Sequence, residues 1–155
     1  MAMSDLRQLA ESLGLSDVST LIQSGNLIFS AEARPKPQEL EAAITQRFRL
    51  PVSVALRSGS ELRRILSNQP FPDAESSSVH VGFLTGKPPA ARVKELDPGR
   101  FAPEGFVVRG TEVYLHLPNG MARTKVPSYL DSTLRTPMTV RNWNTVTKLA
   151  DLTGG

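Results

Sequence analysis

Cysteine is absent from the 155 residues, and aromatic residues make up only 6% of them. The lack of cysteine excludes disulfide scaffolds, cysteine-ligated zinc, iron–sulfur clusters and thiol catalysis, and it gives no sign of an oxidising compartment. No stretch approaches the roughly 18 consecutive apolar residues that a membrane span requires, and the first residues lack the apolar core of a secretory signal. We therefore expect a cytoplasmic protein with no membrane contact.

Motifs for enzymatic chemistry are also missing. The sequence contains no phosphate-binding loop, no dinucleotide fingerprint and no His-Glu-x-x-His zinc motif. We expect no cofactor and no bound metal, and an enzyme of unknown reaction stays open as an alternative. Hydrophobic residues at 39% and charged residues at 21% are typical of an ordinary globular protein. The length suits one compact domain or two small ones.

Positive charge is concentrated at one end of the sequence. Residues 120–155 carry five Lys and Arg against two Asp, which accounts for the whole net charge of +3, whereas residues 1–119 are balanced. Such a segment attracts anions, or it is a solvated helix surface with no ligand. The sequence alone does not show whether the five cations converge.

Apolar spacing and turn residues predict α, β, β, α, β in the first half, followed by a linking helix. The predicted elements are a helix over 4–14, strands over 20–23 and 27–30, a helix over 37–48, a strand over 51–56 and a helix after Ser58. A loop over 68–78, with two prolines and three serines, separates the halves.

The second half reads β, α, β, β, α, β with one further helix. The predicted elements are strands over 79–84, 106–109, 112–117 and 138–140, with helices over 89–96, 127–134 and 143–152. The order βαββαβ is typical of a ferredoxin-like fold, in which an antiparallel sheet carries two helices on one face.

The predicted fold class is therefore α+β, with two ferredoxin-like repeats and a C-terminal helix. We place the first half at 1–67, including the linking helix, and the second at 79–155, together forming one compact domain. The first half matches only the last five elements, so its initial strand is missing. That strand is central in this topology, so we expect a start further upstream, or pairing with another segment or a second copy of the chain.

Three stretches together resemble a known family. They are Leu21–Phe29, Thr139–Val146, and Tyr114–Gly120 with the following Arg123-Thr-Lys125. The chain is similar along nearly all its length to the mostly bacterial domain of unknown function 1697. The resemblance implies a pair of ferredoxin-like repeats and no established reaction. Family members usually begin with a strand that ends in Arg-Gly-Ile-Asn and paired glycines, and nothing in this sequence matches that segment.

The first candidate site is the run from Arg141 to Thr145, where a strand passes into the last helix. Asn142 or Asn144 suits the N-cap of that helix, whose free N–H groups and dipole attract anions. Arg141 offers a fork to phosphate or carboxylate, and Arg123 and Lys125 are candidates to join it. A purely structural role for the same residues is the alternative.

The second candidate is the predicted hairpin turn at Gln23, Ser24, Gly25 and Asn26. Glycine and asparagine suit a tight turn for backbone reasons alone. In a functional interpretation, Gln23, Ser24 and Asn26 offer hydrogen-bond partners to a ligand at the end of the sheet. No nucleophile elbow surrounds Ser24, so nucleophilic catalysis is not predicted there.

The third candidate comprises His80, Tyr114 and His116. Strand alternation predicts that all three face the open side of the second sheet, where RNA-recognition modules stack bases. The two histidines lack a third metal ligand at a matching spacing. The leading hypothesis is a protein that binds a small anionic ligand, such as a nucleotide or phosphometabolite, at the basic C-terminal region. Binding of RNA or single-stranded nucleic acid through the open sheet face is the alternative.

Overall fold

A computed structural model describes residues 3–21, 26–49 and 52–153. These residues form an α+β fold with two sheets, six α-helices and one short 3-10 turn. The chain divides into two compact units, residues 1–56 and residues 57–155.

The first unit contains two helices and one pair of strands. They are α1 (Met3–Ser12), β1 (Ser16–Leu21), β2 (Asn26–Ser30) and α2 (Pro37–Phe48). β1 and β2 pair antiparallel, as the sequence predicts, but β1 begins at Ser16 and not at residue 20. Pro37 occupies the first turn of α2, where its missing N–H has no intrahelical partner to lose. The buried apolar residues described in this unit are Leu6, Ala10, Leu15, Val18 and Ile28. Leu40 of α2 is only partly buried where it packs against Ala10, Leu15 and Val18.

The predicted strand over 51–56 is wrong for the described residues 52–56, which form no strand. Side chains occupy part of the backbone that a neighbouring strand would use. The Val54 amide donates to Glu41 Oε1 at 2.7 Å, and Arg34 Nη2 donates to the Leu56 carbonyl at 3.2 Å. A strand requires a ladder partner, and the described part of this unit provides none beside this segment.

The second unit contains the remaining elements. They are α3 (Gly59–Ser67), β3 (Val79–Leu84), α4 (Ala90–Lys94), β4 (Gly105–Arg109), β5 (Glu112–His116), α5 (Val126–Leu134), β6 (Met138–Asn142) and α6 (Trp143–Leu152). A 3-10 turn over Ser76–Ser78 leads into β3. Ser58 and Glu61 form a capping box that begins α3. The element types predicted for 79–152 are confirmed in the predicted order.

The four strands form one antiparallel sheet in the order β4-β5-β3-β6. The first strand of this unit is therefore central, between its third and fourth, as the βαββαβ interpretation of the second half requires. The pair of ferredoxin-like repeats is not confirmed, because the described part of the first unit has a two-stranded sheet only.

Helices cover both faces of the four-stranded sheet. On one face, Leu84, Val113 and Leu115 pack against Leu130 and Leu134 of α5. On the other face, α6 packs against β3, and α3 packs against α6. Every residue of β3 is buried as a result. The linking helix α3 is thus part of the second unit, so the division of the chain falls before it and not after residue 67.

Arg57 joins the start of the second unit to one end of its sheet. Its Nη2 donates to the carbonyls of Leu84 and Thr111, both at 2.9 Å. Its Nε lies 3.0 Å from Glu112 Oε2, and the two side chains are only 10% and 13% exposed. The guanidinium also lies over the Phe83 ring, 5.5 Å from its centroid. This nearly buried ion pair fixes the β3 and β5 ends at which Arg57 sits.

Candidate anion-binding site

The strand β6 runs directly into α6, and Asn142 is the N-cap of that helix. Asn142 Oδ1 accepts a hydrogen bond from the Thr145 amide at 2.8 Å, with extended backbone at Asn142 (φ −72°, ψ 163°). The predicted cap is therefore confirmed at Asn142, and Asn144 is exposed in the first turn. One of the orphan amides of the helix start is satisfied by the cap, and the helix dipole still favours an anion there.

Arg141 precedes the cap on β6 and pairs across the sheet with Val81. Its side chain is half-buried, and its Nη1 donates to the Val140 carbonyl at 3.0 Å. Burial lowers the pKa of Arg141, but a guanidinium stays charged throughout the physiological range. A half-buried cation attracts an anion more strongly than an exposed one does, because the surrounding dielectric constant is lower.

Arg123 and Lys125 lie in the connection between β5 and α5, and both are exposed. The connection turns at Gly120, whose positive φ of 81° is easily adopted by glycine. Lys125 is the N-cap residue of α5 but makes no side-chain capping bond. Both cations therefore remain directed to solvent, where they are accessible to a ligand.

The strand register brings the two cationic segments to one end of the sheet. At the start of β3, Val79 pairs with His116 on one side and His80 pairs with Asn142 on the other. The connection over 117–125 and the start of α6 therefore leave the sheet at the same end. Two strand spacings, or about 10 Å, separate β5 from β6.

The remaining two cations of the basic segment lie elsewhere. Arg135 ends α5 in the left-handed region (φ 53°), just before β6 begins at the opposite end of the sheet. Lys148 is exposed in the middle of α6. The five cations thus do not form one cluster, and only Arg123, Lys125 and Arg141 share a sheet end.

The hairpin candidate is only partly within the described residues. Gln23 and Ser24 lie outside them. Asn26 begins β2, pairs with Leu21 and is buried at 8% exposure. Asn26 belongs to the first unit, whereas the three cations belong to the second. Its predicted role in ligand binding stays a prediction.

The prediction that His80, Tyr114 and His116 share an open face is wrong. His80 pairs with Leu115, whereas His116 pairs with Val79, so the two histidines lie on opposite faces. Side chains alternate between the two faces along each strand, as predicted. This alternation does not reveal the register between two strands, and the register decides which side chains are neighbours.

The face of Tyr114 is also not open. Tyr114 is 2% exposed, and its hydroxyl donates to the Ile65 carbonyl of α3 at 2.6 Å. Burial is the largest of the causes that raise the pKa of Tyr114. Because α3 occupies this face, Tyr114 is not available for base stacking, which removes the surface on which the nucleic-acid alternative depended.

His80 is buried against the opposite face, at 7% exposure, and its Nδ1 has no hydrogen-bond partner among the described residues. Burial lowers the pKa of His80, so the neutral form is favoured. Within the described ranges, no three Asp, Glu or His side chains are grouped to hold a metal ion. None of the described helices is long and apolar enough to cross a membrane.

Two groups of residues were missed from the sequence. Arg57, described above, has no local signal, because its partners lie 27 to 55 residues away. The loop over 68–78, which the sequence predicts as a plain connection, lines a cavity at the start of β3. The Pro70-Phe71-Pro72 run was a usable signal there, because an aromatic ring between two prolines is held by a stiff backbone.

Comparisons with known proteins agree with this fold and leave the activity open. The family model described as "Protein of unknown function (DUF1697)" matches residues 1–114. The structure of the conserved bacterial protein SP0830 from Streptococcus pneumoniae is similar, with a TM-score of 0.72 and 21% sequence identity. The similarity covers 99% of this chain and 89% of that one. No curated protein matches the sequence.

Proposed function

Because the chain belongs to the DUF1697 family, whose members are described only as proteins of unknown function, we propose its role from the site: it binds a small anionic ligand. The observation that carries the proposal is the shared sheet end of Arg141, the capped start of α6 and the cationic connection after β5. Negative charge at that end is favoured by the dipole of α6, by the half-buried guanidinium of Arg141 and by the exposed cations of the connection.

A phosphate-bearing ligand suits these groups best. Arginine binds phosphate through paired N–H donors, and a helix start offers further backbone donors to the same oxygens. A separation of about 10 Å between β5 and β6 suits a ligand longer than a single phosphate ion. A nucleotide or a phosphorylated metabolite meets that requirement, with its phosphate at Arg141.

Titration calorimetry with inorganic phosphate, AMP and ATP tests this proposal. We expect saturable binding of at least one nucleotide, weakened about tenfold or more by Arg141→Ala, since a hydrogen bond to a charged group contributes about 1.5–3 kcal/mol. Arg123→Ala is an exposed substitution that leaves the fold intact, so it tests the site without a change in stability.

Lys148→Ala is the matched control, because it removes one positive charge from the middle of α6, away from the start of that helix. We expect its affinity to stay within about twofold of the unmodified protein, as expected for loss of a screened surface charge. Absence of binding by all three probes would contradict the proposal. Equal losses in Arg141→Ala and Lys148→Ala would reduce it to a general charge effect.

We also propose that both units derive from one βαββαβ pattern, of which the described part of the first unit shows the elements from the first helix onward. The order α1, β1, β2, α2 and 52–56 corresponds to α4, β4, β5, α5 and β6, which supports this. An experimental structure in which the two series do not superpose would contradict it. A cytoplasmic location is likewise proposed, supported by the absence of cysteine from the sequence.

A further inference from the structure

A cavity of about 500 Å³ lies at the start of β3, at the same end of the sheet as the proposed anion site but lined by none of its residues. Its walls come from the loop over 68–78 and from the end of β5. The volume lies in the range of sites for small organic groups. All the lining residues belong to the second unit, within its described range.

The cavity wall is aromatic and stiff. The rings of Phe71 and His116 lie against each other with centroids 5.4 Å apart and planes inclined by 32°. Pro70 and Pro72 flank Phe71 in the lining, so the backbone that carries the ring has little freedom. A flat ring that already packs against a second ring provides a surface on which a planar group stacks.

Hydrogen bonds fix the loop that carries the wall. The Ala74 amide donates to the Phe71 carbonyl at 3.1 Å, and the Ser78 amide and hydroxyl both donate to the Glu75 carbonyl, at 2.9 and 2.6 Å. The Leu117 amide donates to the Ser78 carbonyl at 2.7 Å, which attaches the loop to the end of β5. The cavity is therefore built by the folded loop.

Asp73 and Glu75 are the two acidic residues of the lining, which contains no Lys or Arg. Asp73 and Glu75 are exposed, and neither side chain forms an ion pair or hydrogen bond with another described residue. Residues 65–86 contain no Lys or Arg. The loop that lines the cavity therefore contributes two negative charges and no positive one, while Arg123 and Lys125 lie further along the connection that follows Pro118.

We propose that this cavity binds a guanidinium group, as carried by an arginine side chain. A guanidinium is planar and cationic, so it stacks on an aromatic ring and donates paired hydrogen bonds to a carboxylate. Phe71 provides the ring, and Asp73 and Glu75 provide the acceptors. This proposal goes beyond the anion site and does not depend on it, because no residue is shared between the two.

Guanidinium is favoured over ammonium by the shape of the lining. An ammonium group is a compact, strongly hydrated charge that gains less from a flat ring. A neutral planar group such as a urea gains no cation–π attraction from the ring and offers no charge to the two carboxylates. The proposed site therefore distinguishes three ligands of similar size by planarity and charge.

Proton–nitrogen correlation NMR of the full chain tests the proposal with N-acetylarginine amide as the probe. We expect saturable shifts of the Phe71, Ala74 and Ser78 amides. N-acetyllysine amide should bind at least about threefold more weakly, and N-acetylcitrulline amide, the neutral planar analogue, should give no saturable shifts. A Gly-Arg-Gly peptide in a separate titration distinguishes an arginine within a peptide from a free arginine derivative.

The variant Asp73→Asn/Glu75→Gln removes both charges and changes no volume. We expect this variant to lower the affinity for N-acetylarginine amide about fivefold, because exposed ion pairs contribute up to about 1 kcal/mol each. Glu104→Gln/Asp151→Asn removes two charges elsewhere on the same unit and should leave the affinity within about twofold.

Both pairs of substitutions are isosteric, so an unchanged melting temperature verifies that each variant is folded. Phe71→Leu keeps an apolar wall without a ring, and it should also lower the affinity for N-acetylarginine amide. The proposal is overturned if citrulline and arginine derivatives shift the same amides equally, or if the control pair weakens binding as much as Asp73→Asn/Glu75→Gln. It is also overturned if no probe gives saturable shifts at the cavity.

Discussion

The two units share a series of elements but differ in how much of their sheet is paired. In the second unit, β3 is bonded on both sides, to β5 and to β6. In the first unit, β2 corresponds to β5, and residues 52–56 correspond to β6 by position. No described strand takes the place of β3 there, and 52–56 form no ladder. In the described residues, therefore, the last segment of the series is a strand only in the unit in which β3 lies beside it as a partner.

The difference extends to the helices. In the second unit, α5 buries Val126, Leu130 and Leu134. In the first unit, α2 is longer, at 12 residues against 9, and yet has no fully buried residue. An amphipathic helix gains most of its stability from the surface it covers. A two-stranded sheet offers α2 little surface to cover, so we expect the first unit to be the less stable of the two.

A matched pair of leucine truncations tests this expectation most strongly. Leu130→Ala on α5 should lower the free energy of unfolding of the second unit by about 3 kcal/mol, because the side chain is 1% exposed and leaves a cavity. Leu40→Ala on α2 should cost the first unit about 1 kcal/mol, since Leu40 is only partly buried. Urea unfolding followed by NMR signals of each unit separates the two effects, and equal losses would contradict the comparison.

The Arg57–Glu112 ion pair offers a second test, confined to the second unit. Arg57→Met leaves Glu112 nearly buried without its cation and should cost about 2–3 kcal/mol. Replacing both partners, as Arg57→Met/Glu112→Leu, should recover most of the loss, because no unpaired charge then remains. Urea unfolding measures both variants. If the double variant is as unstable as the single one, the carbonyl contacts of Arg57, and not the ion pair, determine the stability.

Local patterns were enough to predict most elements of the second unit. The strand over Val79–Leu84 and the helix over Trp143–Leu152 have the predicted limits, because an apolar run and an Asn cap mark them in the sequence. The strand over 51–56 was wrong for the described residues although its apolar pattern was suitable. A strand is defined by its partner, and no local pattern shows whether a partner exists.

The candidate site was predictable in its parts and not in its assembly. The cap at Asn142 follows from residue type at a strand-to-helix junction. Arg141 and the connection after β5 share a sheet end because of the strand order. That order follows from the predicted βαββαβ topology and not from any local motif. His80 and His116 lie on opposite faces because His80 is paired with Leu115 and not with His116. No sequence pattern shows this register between β3 and β5.

Helix capping gives a third and smaller test of the difference between the units. In the second unit, α3 and α6 are capped by Ser58 and Asn142, although α5 is not, and Lys36 at the start of α2 in the first unit makes no side-chain cap bond. Asn142→Ala should cost the second unit about 1 kcal/mol, and Asn144→Ala should cost almost nothing.

Conversely, Lys36→Asp should stabilise the first unit by about 0.5–1 kcal/mol, since aspartate caps a helix and complements its dipole. Thermal unfolding monitored by the amide signals of each unit measures these changes. A loss of stability in Lys36→Asp would show that the start of α2 is limited by something other than its missing cap.

The pH dependence near neutrality gives the most subtle test, because both histidines lie in the second unit. Burial lowers the pKa of His80 below its ordinary value of 6.5, so the unfolded chain binds the proton more readily. The free energy of unfolding of the second unit is therefore not reduced by His80 above about pH 6.5. It falls as the pH drops below that value. The first unit, without a histidine, should not respond in this window.

His80→Leu should remove the loss of stability below pH 6.5, because a leucine beside Leu115 binds no proton and fills an apolar position. His116→Leu is the matched control, since it leaves His80 in place and should keep the loss. Urea unfolding at several pH values provides the measurement. If the loss persists in His80→Leu, the proton is taken up elsewhere. If the first unit shows the same loss, the two units do not unfold independently, and the contrast between their sheets does not control their stability.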